Sequence, residues 1–115
     1  MAPVLFLLCA CVGPPAPDVE LCRDVITRLC AEPVCSGVTA KLNTPAMGCE
    51  AELQRRSGCD VAEFAFTTPT RDRVLECRLP LVRESNLVVA HPPCEYVDET
   101  FRNCPDLVGF LGGTP

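Results

Sequence analysis

Apolar side chains recur at helical spacing in four stretches of the chain. In the first, Leu21, Cys22, Val25, Ile26, Leu29 and Cys30 fall on one stripe of a helix. Pro17 and Asp18 open it, Asp18 and Glu20 lie where the helix dipole favours acids, and Pro33 stops it. Thr44 and Pro45 signal a second start, an N-cap residue followed by proline at the first helical position. That helix carries Met47, Cys49, Glu50 and Leu53 and stops at Gly58. Thr68 and Pro69 repeat the device for a third helix, with Val74, Leu75, Cys77, Arg78 and Leu79, ending at Pro80. A fourth starts near Pro93 and runs through CEYVDETFRNC to Pro105. Two shorter apolar segments, VAEFAFT at 61–67 and NLVVA at 86–90, read as short strands that could pair. The expected fold is mainly α: a small disulfide-stapled bundle of about four short helices, with room for a minor two-stranded β element.

The beginning of the chain follows a different pattern. Val4 to Val12, VLFLLCACV, is one continuous apolar run. A helix needs about 20 such residues to span a bilayer. The run instead has the length of the hydrophobic region of an export signal. VGPPAPD follows, and its prolines disfavour helix and keep a spacer extended. The expected organisation is an export signal at 1–10, a tether at 11–17, a helical domain at 18–108 and a flexible tail, GFLGGTP, at 109–115.

Composition sharpens this picture. Ten cysteines in 115 residues mark a disulfide scaffold, which forms in oxidising compartments. Setting aside Cys9 and Cys11 leaves an even set: Cys22, Cys30, Cys35, Cys49, Cys59, Cys77, Cys94 and Cys104. Four bridges among them allow 105 connectivities. Helix geometry limits the choice. Cys22 and Cys30 would be about 12 Å apart along a helix, and Cys49 and Cys59, like Cys94 and Cys104, about 15 Å apart. A disulfide needs Cα atoms within about 7 Å, so each helix must be stapled to another element. The net charge is −5, and the nine Arg and one Lys (Lys41) form no cluster, which argues against a nucleic acid partner. Plentiful Ala, Val and Pro with few Ile, Lys and Asn suit a GC-rich genome.

Candidate chemistry is sparse. The chain has no CxxC knuckle and a single histidine, His91 in AHPPC, so neither a zinc site nor covalently attached haem is expected. His91 could serve as a base only for Ser85 or Cys94, and beside two prolines it reads as a loop residue. Glu50 with Glu52, and Asp98 with Glu99, are too close in sequence to share a helix face as a catalytic pair. Arg55–Arg56 and Arg71–Asp72–Arg73 read as surface ion-pair partners. Phe64, Phe66, Tyr96 and Phe101 are core candidates. Phe110 is either an exposed anchor or folds back over the core. No catalytic residues, metal or cofactor are expected.

Leu8-Cys9-Ala10-Cys11 resembles the lipobox of bacterial lipoproteins: a branched apolar residue, a variable one, a small one, then the invariant cysteine. By position, the resemblance makes Cys11 the lipid-bearing N-terminal residue and removes Cys9 with the signal. The whole chain resembles the small cysteine-rich lipoproteins of GC-rich Gram-negative bacteria such as myxobacteria, a family-level likeness that implies an outer-membrane or periplasmic address. CRDVITRLCAEPVC is similar to the helical cysteine modules of GDNF-type receptors over about 15 residues, but the later closely spaced cysteines of those modules are missing. The resulting expectation is a non-enzymatic, lipid-anchored envelope protein that acts as a binding or structural module. Its partners would be the membrane, through the lipid, and another envelope protein. A freely secreted effector or inhibitor is the alternative, and a small hydrolase is a remote third.

Overall fold

The computed structural model describes residues 16–31, 35, 38–45, 47–83 and 94–113. These residues form six α-helices and no strand: α1 (Pro17–Cys30), α2 (Val38–Leu42), α3 (Cys49–Ser57), α4 (Arg71–Val82), α5 (Cys94–Asn103) and α6 (Pro105–Phe110).

The expected first helix is α1. It begins with proline, carries Asp18 and Glu20 in its first turn and Arg28 in its last, and buries Val19, Leu21, Cys22, Val25, Ile26 and Leu29. The short α2 was not expected. It buries Val38 and Leu42 and closes in a Schellman arrangement, with Asn43 at φ 52°. The Thr44 N–H reaches Thr39 O at 3.1 Å and the Asn43 N–H reaches Ala40 O at 3.3 Å. Thr44 and Pro45 therefore belong to the exit from α2 rather than the start of the next helix. That helix, α3, begins four residues later, after Gly48 at φ 81°.

The third expected helix shifts at both ends. Its N-cap is Thr70, whose Oγ1 accepts from Arg73 N at 3.2 Å. Pro69 instead follows a cis peptide bond and is buried. Pro80 does not end α4, which continues to Val82. A proline this late forfeits only the bond to the Glu76 carbonyl, and Pro80 and Leu81 are both buried.

Residues 61–67 are not a strand. They form successive turns, with the Val61 N–H donating to Gly58 O and the Phe64 N–H to Val61 O. The other candidate strand, 86–90, lies outside the described residues. At the other end, residues 109–113 are not a loose tail. Gly109 and Phe110 complete α6, Leu111 is 1% exposed, and the Gly113 N–H donates to Val108 O at 2.8 Å.

α1 and α3 run antiparallel and are bridged near both ends, by Cys22–Cys59 and Cys30–Cys49. α1 and α4 run parallel, since Asp18 pairs with Arg71 and Asp24 with Arg78. α4 and α5 run antiparallel, linked by Cys77–Cys104 at one end and Arg83–Glu99 at the other. Cys35–Cys94 joins the segment after α1 to the start of α5. Ile26, Leu29, Leu42, Leu53, Leu81, Leu107 and Leu111 fill the space between these helices.

Candidate functional site

The eight cysteines from Cys22 onward form four disulfides, with Cα separations of 6.3, 5.7, 5.2 and 6.0 Å for Cys22–Cys59, Cys30–Cys49, Cys35–Cys94 and Cys77–Cys104. None closes within one helix. Ser57 Oγ sits 3.1 Å from Cys59 Sγ and 3.6 Å from Cys22 Sγ, beside the first bridge. Cys77, Cys104 and Asp106 draw together, but both sulfurs are spent in the disulfide and the carboxylate is held by Arg73 in a two-pronged pair at 2.9 and 3.1 Å. That trio therefore offers no thiolate to a metal. Cys11, Ser85 and His91 lie outside the described residues.

Among the described residues, Glu50 and Glu52 are each engaged by a different partner. Glu50 accepts from Thr27 Oγ1 at 2.8 Å, while Glu52 holds Arg55 at 2.6 Å and Arg56 at 2.8 Å. The two guanidiniums keep the Glu52 carboxyl below its ordinary pKa. Glu99 is lowered in the same way by Arg83, and Asp106 by Arg73. Arg71 and Arg73 each find an acid on another helix. The aromatic rings mostly serve the interior. Phe64 and Phe66 meet edge to face at 4.9 Å, and Phe110 folds back onto both, at 6.1 and 5.8 Å. Arg83 lies 5.1 Å over the Tyr96 ring.

Arg56 holds a position that no spacing in the sequence reveals. Its guanidinium donates to the carbonyls of Leu42 and Asn43, both at 2.6 Å, and to Leu111 O at 3.4 Å. One side chain thus satisfies the ends of α2 and α6 together.

A cleft of about 440 Å³ opens between α1 and α4. Leu21 and Leu75 form its floor. Pro17, Glu20 and Asp24 stand on the α1 side, with Arg71 and Arg78 on the α4 side. The parallel packing of the two helices puts acids on one rim and bases on the other. Asp24 Oδ2 accepts from Arg28 at 2.9 Å and Arg78 at 3.3 Å. Asp18 pairs with Arg71 at 3.3 Å and accepts the Phe66 N–H at 2.9 Å. The Glu20 carboxylate is exposed and has no partner among the described residues. The apolar floor continues along α4: Leu79, one turn beyond Leu75, is 60% exposed, and Val82 follows half-buried. Among the described residues the lining offers a proline, two leucines, the carboxylates of Glu20 and Asp24 and the guanidiniums of Arg71 and Arg78. A smaller hollow of about 170 Å³ lies by Cys30–Cys49 at the other end of α1.

The sequence marked the cysteines and the surface arginines, but it missed this cleft. Leu75, Arg78 and Leu79 read as ordinary members of a third amphipathic helix. The signal available was that α4 carries apolar residues on two faces. No protein-family model, no curated protein and no solved structure matches this chain.

Proposed function

We propose that the protein is a lipid-anchored, non-enzymatic cell-envelope protein whose helical domain acts as a binding or structural module. The observation that carries this reading is the use of the cysteines. The eight from Cys22 onward are consumed in pairs. None of these four bridges draws on Cys9 or Cys11, so the set is compatible with an acylated Cys11 in the lipobox-like LCAC. Four disulfides suit an oxidising, exported environment, and no helix among the described residues is long and apolar enough to cross a membrane. A lipid at Cys11, followed by a proline-rich spacer, would hold α1 with its first turn toward the bilayer. A multiply acylated residue anchors stably where a single chain does not. Binding is assigned to the α1–α4 cleft and the outer face of α4, which combine apolar floor, charged rims and exposed Leu79.

The test is the mass of the N-terminal peptide after expression in a Gram-negative host. The expected chain begins at Cys11 with added acyl mass and is released from membranes by Cys11→Ser. A chain that begins between residues 12 and 18 without lipid overturns the anchor and leaves a soluble secreted protein. A chain that keeps Met1 overturns export itself.

A further inference from the structure

Cys30–Cys49 differs from the other three bridges in its surroundings. The hollow of about 170 Å³ at the end of α1 is lined by both of its cysteines, with Gly48, Glu50 and Ala51. Cys30 is partly exposed and ends α1, while Cys49 is buried and begins α3. The two residues therefore sit at helix ends of opposite polarity. A thiolate at Cys49 would lie beside the N–H groups of the first turn of α3, which no side chain caps because the N-cap is Gly48. Of the two acids in that turn, Glu52 is paired with Arg55 and Arg56, and Glu50 accepts from Thr27 Oγ1. A thiolate at Cys30 would lie beside the last carbonyls of α1, where negative charge is disfavoured.

The rate of thiol–disulfide exchange depends on access to the sulfur attacked, and it rises as the pKa of the leaving thiol falls. At Cys30–Cys49 the two requirements agree. Cys30 is the more accessible partner, and attack on it expels Cys49 from a helix N-terminus. At Cys35–Cys94 they conflict. Cys94 is exposed and begins α5, so attack on it expels Cys35, which is buried and lies outside the helices. Expelling Cys94 instead requires attack on buried Cys35. Cys22–Cys59 and Cys77–Cys104 are buried at both residues.

We infer that Cys30–Cys49 is an exchange site for a small thiol whose body carries no negative charge. The thiol loses its proton to solvent, and its thiolate attacks Cys30 Sγ. A new S–S bond forms to Cys30 Sγ, the Sγ–Sγ bond to Cys49 breaks, and the bonding pair leaves on Cys49 Sγ. The external sulfur is oxidised into a mixed disulfide and Cys49 is reduced to the thiolate. The Glu50 carboxylate lines the hollow and repels an anionic thiol body. Cys22–Cys59 still ties α3 to α1 after the exchange, so the start of α3 is released while the bundle stays closed. The exchange does not depend on an acyl group at Cys11.

The experiment treats the exported, oxidised chain, with any free thiol first blocked by alkylation, with mercaptoethanol under native conditions. Early samples are quenched in acid, alkylated with a second reagent and mapped by peptide mass. The expected first product carries mercaptoethanol on Cys30 and the second alkyl group on Cys49. It should form at least about tenfold faster than a product of any other bridge, with the far-UV circular dichroism unchanged. Ala51→Phe, which sets a ring at the hollow, should slow this step severalfold and leave the other bridges as they were. Cysteamine should outpace mercaptopropionate once each is normalised to its rate on a small disulfide, and Glu50→Gln should narrow that gap. A first product at Cys35–Cys94, an adduct on Cys49 with Cys30 free, or bridges that open together with loss of helix overturns the site. A rate indifferent to Ala51→Phe overturns the hollow as the route, and equal normalised rates overturn the choice of thiol.

Discussion

Thr100 Oγ1 donates a 3.1 Å hydrogen bond to the carbonyl oxygen of Cys77, across the seam between α5 and α4. Thr100 is fully buried, and the carbonyl belongs to a residue that is itself bridged to Cys104. Side-chain hydrogen bond and disulfide therefore fix the same pair of helices within one turn of each other. Thr100→Val keeps the shape but leaves the second lone pair of the carbonyl without a donor. The expected cost is about 1 kcal/mol, a fall in Tm of several degrees, read by thermal melting. Thr100→Ala should cost more, since it also opens space in a packed seam.

The Arg56 clamp makes a second prediction. Arg56→Lys replaces a fork that reaches Leu42, Asn43 and Glu52 with a single ammonium that cannot span them. A loss of about 2 kcal/mol is expected by chemical denaturation. Gly112→Ala should act on the same contact. Gly112 sits at φ +85°, and a Cβ there would lie 2.7 Å from Arg56 Cδ. Because both changes strike one junction, the double variant should cost less than the sum of the singles.

The ion pairs set the response to acid. Arg83 holds the Glu99 carboxyl below its ordinary value of 4.5, and Glu52 is lowered by Arg55 and Arg56. A carboxyl whose pKa is depressed on folding adds stability above its unfolded value, and that contribution is lost as pH falls through the folded value. Stability should therefore be flat near neutrality and decline below about pH 4.5. Arg83→Gln should return the Glu99 titration, followed by NMR, toward the ordinary value. No upward movement would show that the pair does not form in solution.

Connectivity is open to direct mapping. Non-reducing digestion should yield Cys22–Cys59, Cys30–Cys49, Cys35–Cys94 and Cys77–Cys104. The bridges should not be equal. Cys35–Cys94 spans 59 residues and Cys30–Cys49 only 19. On loop-closure entropy alone, removing the first costs about 4 kcal/mol and the second about 3. Paired Cys→Ala variants measured in denaturant would check the order.

What the sequence by itself determined follows from local rules. The stripe from Leu21 to Leu29 forms α1 because helical periodicity and an opening proline need no distant partner. Ten cysteines implied bridges, and the rise along a helix barred Cys22 from Cys30 and Cys49 from Cys59. Only the tertiary structure decided the rest. Thr44 and Thr68 carry the same start signal, yet neither caps a helix: the first is held by the closing turn of α2, and the second lies two residues short of Thr70, the residue that caps α4. Pro80 stays within α4 because burial outweighs one missing hydrogen bond. Residues 109–113 pack because Arg56 and Lys41, more than 50 residues earlier, receive them. Which cysteine meets which, and which face of α4 remains apolar and open, depend on how helices distant in sequence pack together. Local pattern shows that a face must be covered, but the covering partner is set by the three-dimensional arrangement of the chain.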